Sequence, residues 1–286
     1  MSWPRAWRCA VSLAICGLLV AACAASPPTP TPDGVPTLAP ARLRLAGATS
    51  MYPVAQALIS AYAERIAQAQ ITLETGVTGD GLEAVRRGLA EIGLVARDLP
   101  PEADRAQMPE YATLLCAPIA LDGVVIIVHA DNPLRGVSVE QLRRIYIGEI
   151  HDWGDLGGRP GDITVVSREA ASDTRQVMDA KVMQGEPVTL RAVVAPTSEA
   201  VVAYVQEHPD AIGYVAAPYL RAGVKGLFVE GVSPDKAAVR AGEYPLIRPL
   251  YLVTAQEPTP AARAFLAFVL SPTGQAIVGR FHVPLD

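Results

Sequence analysis

The chain is short of the side chains that build metal and nucleophile sites. Its four histidines, His129, His151, His208 and His282, are scattered without ligand spacing, which argues against a metal centre. No phosphate-binding P-loop and no Gly-x-Ser-x-Gly elbow occurs. Ser233-Pro-Asp-Lys236 matches Ser-x-x-Lys formally, but it lacks that signature's companion motifs and a helical pattern. Nothing here argues for catalysis, and a non-enzyme without cofactor is expected. Basic residues are also in deficit. Removing residues 1–22 takes away Arg5 and Arg8 and no acid, leaving 22 basic against 29 acidic side chains and a net charge of −7, which excludes nucleic acid as a natural partner.

Long apolar runs are missing too. The longest near the N-terminus, Cys9 to Ala22, follows two arginines and falls short of the roughly 20 residues of a membrane span, so it reads as a secretory signal. It ends Leu19-Val-Ala-Ala-Cys23, which resembles the lipobox of bacterial lipoproteins. That implies a signal peptide over 1–22, lipid on Cys23, and membrane attachment facing the periplasm or the outer surface of the cell membrane. Residues 23–41 then serve as a tether: six prolines between 24 and 40 favour extended polyproline II and a reach of roughly 50 Å. With Cys9 and Cys16 in the signal and Cys23 acylated, Cys116 has no disulfide partner and is expected to be a buried apolar residue.

What is present is ordinary globular composition, half apolar and 19% charged, with strand and helix signals that alternate from Arg42 onward. Strands are expected at Arg42–Leu45, Ile71–Glu74, Glu91–Val95, Gly123–His129, Ile163–Ser167, Ala211–Val215 and Pro249–Thr254. Helices are expected at Pro53–Gln68, Leu82–Arg87, Ser138–Ile147, Thr174–Met183, Ser198–Glu207, Pro260–Leu270 and Pro272–Phe281. Alternation of this kind predicts an α/β fold with mainly parallel pairing and, at this length, two lobes.

Three segments share one design, a strand followed by a loop of hydroxyls or glycine and then a helix: Gly47-Ala-Thr-Ser50, Gly76-Val-Thr-Gly-Asp-Gly81 and Arg168-Glu-Ala-Ala-Ser-Asp-Thr-Arg175. A helix start offers unpaired N–H groups and partial positive charge, so three converging starts would cradle an anion. Hydroxyls of Thr49, Ser50, Thr78, Ser172 and Thr174 would add donors, and Arg168 or Arg175 formal charge. Ser, Thr and Asp are equally the preferred caps of any helix, so capping alone explains each segment taken singly.

Taken together these motifs resemble the phosphate-binding (PstS-like) branch of periplasmic substrate-binding proteins, which serve ABC importers. Leu45-Ala-Gly-Ala-Thr-Ser-Met-Tyr-Pro53 is similar to the family's first anion loop, and Glu91-Ile-Gly-Leu-Val-Ala-Arg97 to its Asp-Ile-Gly-x-x-Ser-Arg. Leu142-Arg-Arg-Ile-Tyr-Ile-Gly-Glu-Ile150 with Trp153, Arg168 to Arg175, Ala211-Ile-Gly-Tyr-Val215 and Tyr244 to Tyr251 follow in the family's order. The resemblance implies a two-lobed (type II-like) periplasmic-binding-protein fold with a hinge. Lobe one would hold 43–124 and 248–286, and lobe two 125–247. It also implies a monomer that binds inorganic phosphate through Thr49, Ser50, Thr78, Arg168, Ser172, Asp173 and Thr174, with an importer permease as partner. The chain departs from the pattern in three places, one of them Asp80 in the second loop. Ala96 stands where the family has serine or aspartate, and Asp173 where it has a loop glycine. These departures keep open another oxyanion or small acidic ligand, or a surface or sensing protein that binds no ligand.

Overall fold

The computed structural model describes residues 42–66 and 69–285; the expected signal peptide, lipidated Cys23 and tether lie outside them. The described chain is a mixed α/β fold around one ten-stranded sheet in the order β2-β1-β3-β11-β4-β8-β6-β7, with β9 and β12 also paired to β4. Its strands are β1 (Arg42–Ala48), β2 (Gln70–Gly76), β3 (Ile92–Val95), β4 (Leu114–His129), β5 (Gly136–Val137), β6 (Thr164–Arg168), β7 (Val193–Ala195), β8 (Ala211–Ala216), β9 (Val224–Gly226), β10 (Phe228–Val229), β11 (Ile247–Ala255) and β12 (Val283–Pro284). The helices are α1 (Tyr52–Ala63), α2 (Thr78–Arg86), α3 (Glu102–Arg105), α4 (Val139–Ile147), α5 (Asp173–Met178), α6 (Ser198–Glu207), α7 (Lys236–Ala241), α8 (Pro260–Leu270) and α9 (Pro272–Phe281). The short strands β5 and β10 form a separate parallel pair.

The expectation of mainly parallel pairing needs correction. The two ends of the sheet are parallel, β1 with β2 and β3, and β6 with β7 and β8. The middle is antiparallel, with β11 running against both β3 and β4, and β4 against β8. The cause lies in β4, which spans 16 residues where the sequence suggested seven. Its apolar run Val124–Val128 is buried on both faces, at 1% exposure or less.

β4 and β11 also serve two separate cores. Ile119 and Ala120 of β4 pack with Leu250 and Leu252 of β11 and with Leu43, Leu45, Val54, Leu58, Phe265 and Val269. A few residues along, Val124, Ile126 and Val128 pack with Leu142, Ile145, Tyr146, Met178, Ile212 and Tyr214. The other face of β4, through Val125 and Ile127, packs with Val201, Val202 and Val205 of α6. Each fully buried Val, Leu or Ile contributes about 1.5–3 kcal/mol, so both cores are substantial.

Several element ends differ from the sequence expectation for local reasons. α1 stops at Ala63, short of the expected Gln68. α7 starts at Lys236 under an Asp235 cap, where no helix was expected. Lys236 donates to the carbonyls of Gly279 and Arg280, giving that lysine a structural role. Cys116 is half-buried rather than fully buried, and burial pushes its thiol above the ordinary range. Among the described residues no single helix is long and apolar enough to cross a membrane. The bent pair α8 and α9 passes on composition, and Phe265, Val269 and Val278 anchor it in the first core.

Candidate functional site: a pocket where three strand-to-helix turns meet

The three turns singled out in the sequence converge. The Thr49 hydroxyl donates to the Gly76 carbonyl at 2.8 Å, joining the turns after β1 and β2. The Thr78 backbone N–H donates to the Asp173 carboxylate, at 3.3 Å to Oδ1 and 3.1 Å to Oδ2, joining the turns after β2 and β6. Between them lies a pocket lined by Thr49, Ser50, Gly76, Val77, Arg168, Ser172, Asp173 and Thr174. Of the expected residues, only Thr78 stands off the wall. It is wholly buried, and its hydroxyl accepts from the Ala96 N–H at 3.0 Å. Gly76 and Val77 contribute backbone that a search for polar side chains passes over.

Each wall has a local cause. Near the end of β1 stands Gly47, whose φ of +129° is open to glycine, and whose missing Cβ would lie 2.4 Å from the Leu94 carbonyl oxygen. This close approach brings Thr49 and Ser50 up beside α2. Thr78-Gly-Asp-Gly81 is the first turn of α2 rather than the loop the sequence suggested. Gly81 permits it, because a Cβ there would lie 2.7 Å from the Ala46 oxygen and 3.0 Å from Gly47 Cα. After β6 the Arg168 backbone N–H donates to the Tyr214 hydroxyl at 3.1 Å, which fixes the strand end. Ser172 caps α5 by accepting from the Arg175 N–H at 3.5 Å, a long bond.

The charges are sorted. Arg168 is buried, and its guanidinium pairs with Glu169 at 2.8 Å and donates to the Pro196 carbonyl. Arg175 does not line the pocket. It pairs with Asp179 at 2.7 Å and donates to the Arg168 carbonyl, bracing the turn from outside. The two acids behave differently. Asp80 is exposed, and its carboxylate accepts from the Val77 N–H at 3.1 Å at the start of its own helix. Asp173 is 4% exposed and faces inward. Burial pushes its carboxyl above the ordinary range, and the hydrogen bonds from Thr78 with the charges of Arg248 and Arg97 pull it only part of the way back. The Ser50 hydroxyl, on the opposite wall, is buried with no hydrogen-bond partner among the described residues.

Two further features escaped the sequence reading. The Tyr219 hydroxyl donates to the Thr49 carbonyl at 2.9 Å, bridging from the α6 side of the molecule, and burial raises its phenol well above the ordinary range. Behind the pocket, where β4 and β11 pass between cores, Arg248 and Asp122 form a fully buried pair at 2.8 Å. His282 Nδ1 lies 3.0 Å from the other Asp122 oxygen, and Arg248 donates onward to the Ala96 carbonyl. Burial alone would raise Asp122, yet Arg248 and His282 outweigh it and hold its carboxyl below the ordinary range. The pairing of Asp122 with Arg248 across 126 residues leaves no local pattern to read. Among the described residues, no group of three or more His, Cys, Asp or Glu side chains is placed to hold a metal ion.

A family model described as the PBP superfamily domain matches residues 34–273. The chain belongs to the PBP superfamily. Among solved structures, this superfamily member is similar to a phosphate ABC transporter substrate-binding protein from Clostridium perfringens with bound phosphate. The TM-score is 0.78 and identity 31%, covering 86% of this chain and 100% of that one. An ABC-type phosphate transport receptor from Vibrio cholerae shares the fold at TM-score 0.70 and 24% identity, over 85% of this chain and 100% of that one. The phosphate-binding protein PstS of Bacillus subtilis is 29% identical over 231 residues, 80% of this chain and 75% of the relative. The pocket thus belongs to an α/β fold of the periplasmic-binding-protein kind.

Proposed function

We propose that this chain is the extracytoplasmic substrate-binding protein of an ABC importer, a binding protein rather than an enzyme, and that it takes inorganic phosphate in the pocket between its two principal cores. The observation that carries the reading is the orphaned Ser50 hydroxyl. A buried hydroxyl without a partner costs about 1–3 kcal/mol, and it faces a pocket whose other walls are a buried arginine and two helix starts. The similarity to phosphate-binding proteins over most of the chain supports phosphate as the anion. In this reading Ser50, Ser172 and Thr174 donate hydroxyls, Thr49 does so by giving up its bond to the Gly76 carbonyl, Arg168 supplies charge, and Thr78 and Asp173 stand at the rim of the ligand.

The reading extends to the whole chain. Residues 43–124 with 248–286 form one lobe and 125–247 the other, with Val124 and Val283 at the boundary packing into the second core, and β4 and β11 act as the hinge on which the lobes close. Cys23 carries lipid, residues 23–41 hold the domain off the membrane, and the protein works as a monomer against its permease. A second reading, another oxyanion or small acidic ligand, is favoured by Ala96 and Asp173, which change the polar surroundings of the pocket.

Calorimetric titration with phosphate, sulfate, molybdate and tungstate tests both. Phosphate is expected to bind at micromolar concentration or tighter and Arg168→Ala to abolish it. Preference for another anion would replace phosphate with the second reading, and no anion binding would remove both.

A further inference from the structure

We propose that Asp173 is a tethered anion: its carboxylate occupies the Thr78 N–H at the start of α2, ties the two lobes together across the pocket, and must be displaced before a ligand anion can take that donor. The proposal rests on the phosphate-site reading and adds a competitor built into the chain.

The geometry carries it. Both Asp173 oxygens approach the Thr78 N–H, at 3.3 and 3.1 Å. Thr78 opens a nine-residue helix, so this N–H is among the unpaired donors that make a helix start attractive to anions. Asp173 and Thr78 are both buried, at 4% and 0% exposure, and no Lys, Arg or His among the described residues pairs with Asp173 within 4.0 Å. The charges that face it, Arg97 and Arg248, are engaged elsewhere, with the Tyr111 hydroxyl and with Asp122. With the carboxylate in place the pocket has about 10 Å³ of free volume, enough for one water-sized sphere. Across that space the Ser50 hydroxyl remains without a partner. The pocket therefore holds a donor already satisfied by the chain's own anion and a polar group that the chain leaves unsatisfied.

The two partners also come from different parts of the molecule. Asp173 opens α5, whose Val177 and Met178 belong to one core, while Leu82 and Val85 of α2 pack with Val95 in another cluster. The bond is thus a cross-cleft tie as well as an occupied donor. Asp80, in the first turn of α2, cannot do the same, because it is spent on Val77 at the outer surface. When most molecules hold the tie, apparent affinity falls by the fraction that is free of it. Such a site favours anions able to outbid a carboxylate for hydrogen bonds.

Titrate phosphate-stripped native chain, Asp173→Gly and Asp173→Asn with inorganic phosphate at pH 8, and follow hydrogen exchange of the peptide containing Thr78 in the same samples. The proposal predicts at least about tenfold tighter phosphate binding by Asp173→Gly, an intermediate gain for Asp173→Asn, and faster exchange at Thr78 in the glycine variant. Binding by the variants but not by the native chain would support the tether and overturn phosphate binding as the native chain's function. Equal binding by both variants overturns it, weaker binding overturns it and marks Asp173 as a ligand contact, and either leaves the phosphate reading standing. No phosphate binding by any of the three removes both. Should Asp173→Gly fail to fold, the asparagine variant carries the affinity comparison alone.

Discussion

At the scale of single residues, the acids decide how this pocket behaves. Asp173 sits where its carboxyl is raised, because burial outweighs its hydrogen bonds from Thr78. A raised carboxyl binds its proton more tightly folded than unfolded, so stability falls as pH rises from the unfolded value through the folded one. Relative to Asp173→Asn, the native chain is expected to lose stability over that interval and hold a constant difference above it; urea unfolding at stepped pH values checks the sign. Asp122 behaves in the opposite way. Its depressed carboxyl gives stability that is present above the unfolded value and lost as pH falls through the folded one. Asp122→Ala leaves the Arg248 guanidinium buried and unpaired, which is expected to cost about 3–5 kcal/mol in denaturant unfolding. The sequence marks Asp173 as an oddity among hydroxyls, since it stands between Ser172 and Thr174. It does not show which way the carboxylate points, because its partner Thr78 is 95 residues away and lies on another strand-to-helix turn.

At the scale of elements, the turns are set by close backbone approach more than by helix propensity. Gly81 lies inside α2, where alanine would be the better helix former by about 1 kcal/mol. Its Cβ would nevertheless meet the Ala46 oxygen at 2.7 Å and the Leu94 oxygen at 3.2 Å, both backbone atoms of the neighbouring strands. Gly81→Ala is therefore expected to destabilise the chain by about 1–3 kcal/mol in urea unfolding and to weaken anion binding by moving Thr78. The same glycines explain what the sequence hid. Thr78-Gly-Asp-Gly81 looks like a loop by composition, yet tertiary contact with β1 and β3 makes it the first turn of a helix. Where caps and apolar spacing agree, as in α6, α8 and α9, the expected limits match the observed ones. The small elements α3, β5 and β10 were not legible, because two to four residues carry no periodicity.

At the scale of the molecule, two strands shared between cores make one mixed sheet out of two parallel ends. Alternating strands and helices reveal the parallel ends but not the antiparallel middle, since β4 and β11 pair across more than 120 residues. A ligand held between the cores binds only the folded chain and so stabilises it. Phosphate at a hundred times its dissociation constant is expected to add about 2.7 kcal/mol, and stripping phosphate to remove that gain, as thermal unfolding in matched buffers will show. The measurement that bears most directly on the central claim is equilibrium dialysis of the full-length chain against labelled phosphate, with Arg168→Ala alongside. One phosphate per chain is expected to bind at micromolar concentration or tighter, with binding lost in the variant. The absence of saturable binding, or binding that Arg168→Ala leaves unchanged, would contradict that claim.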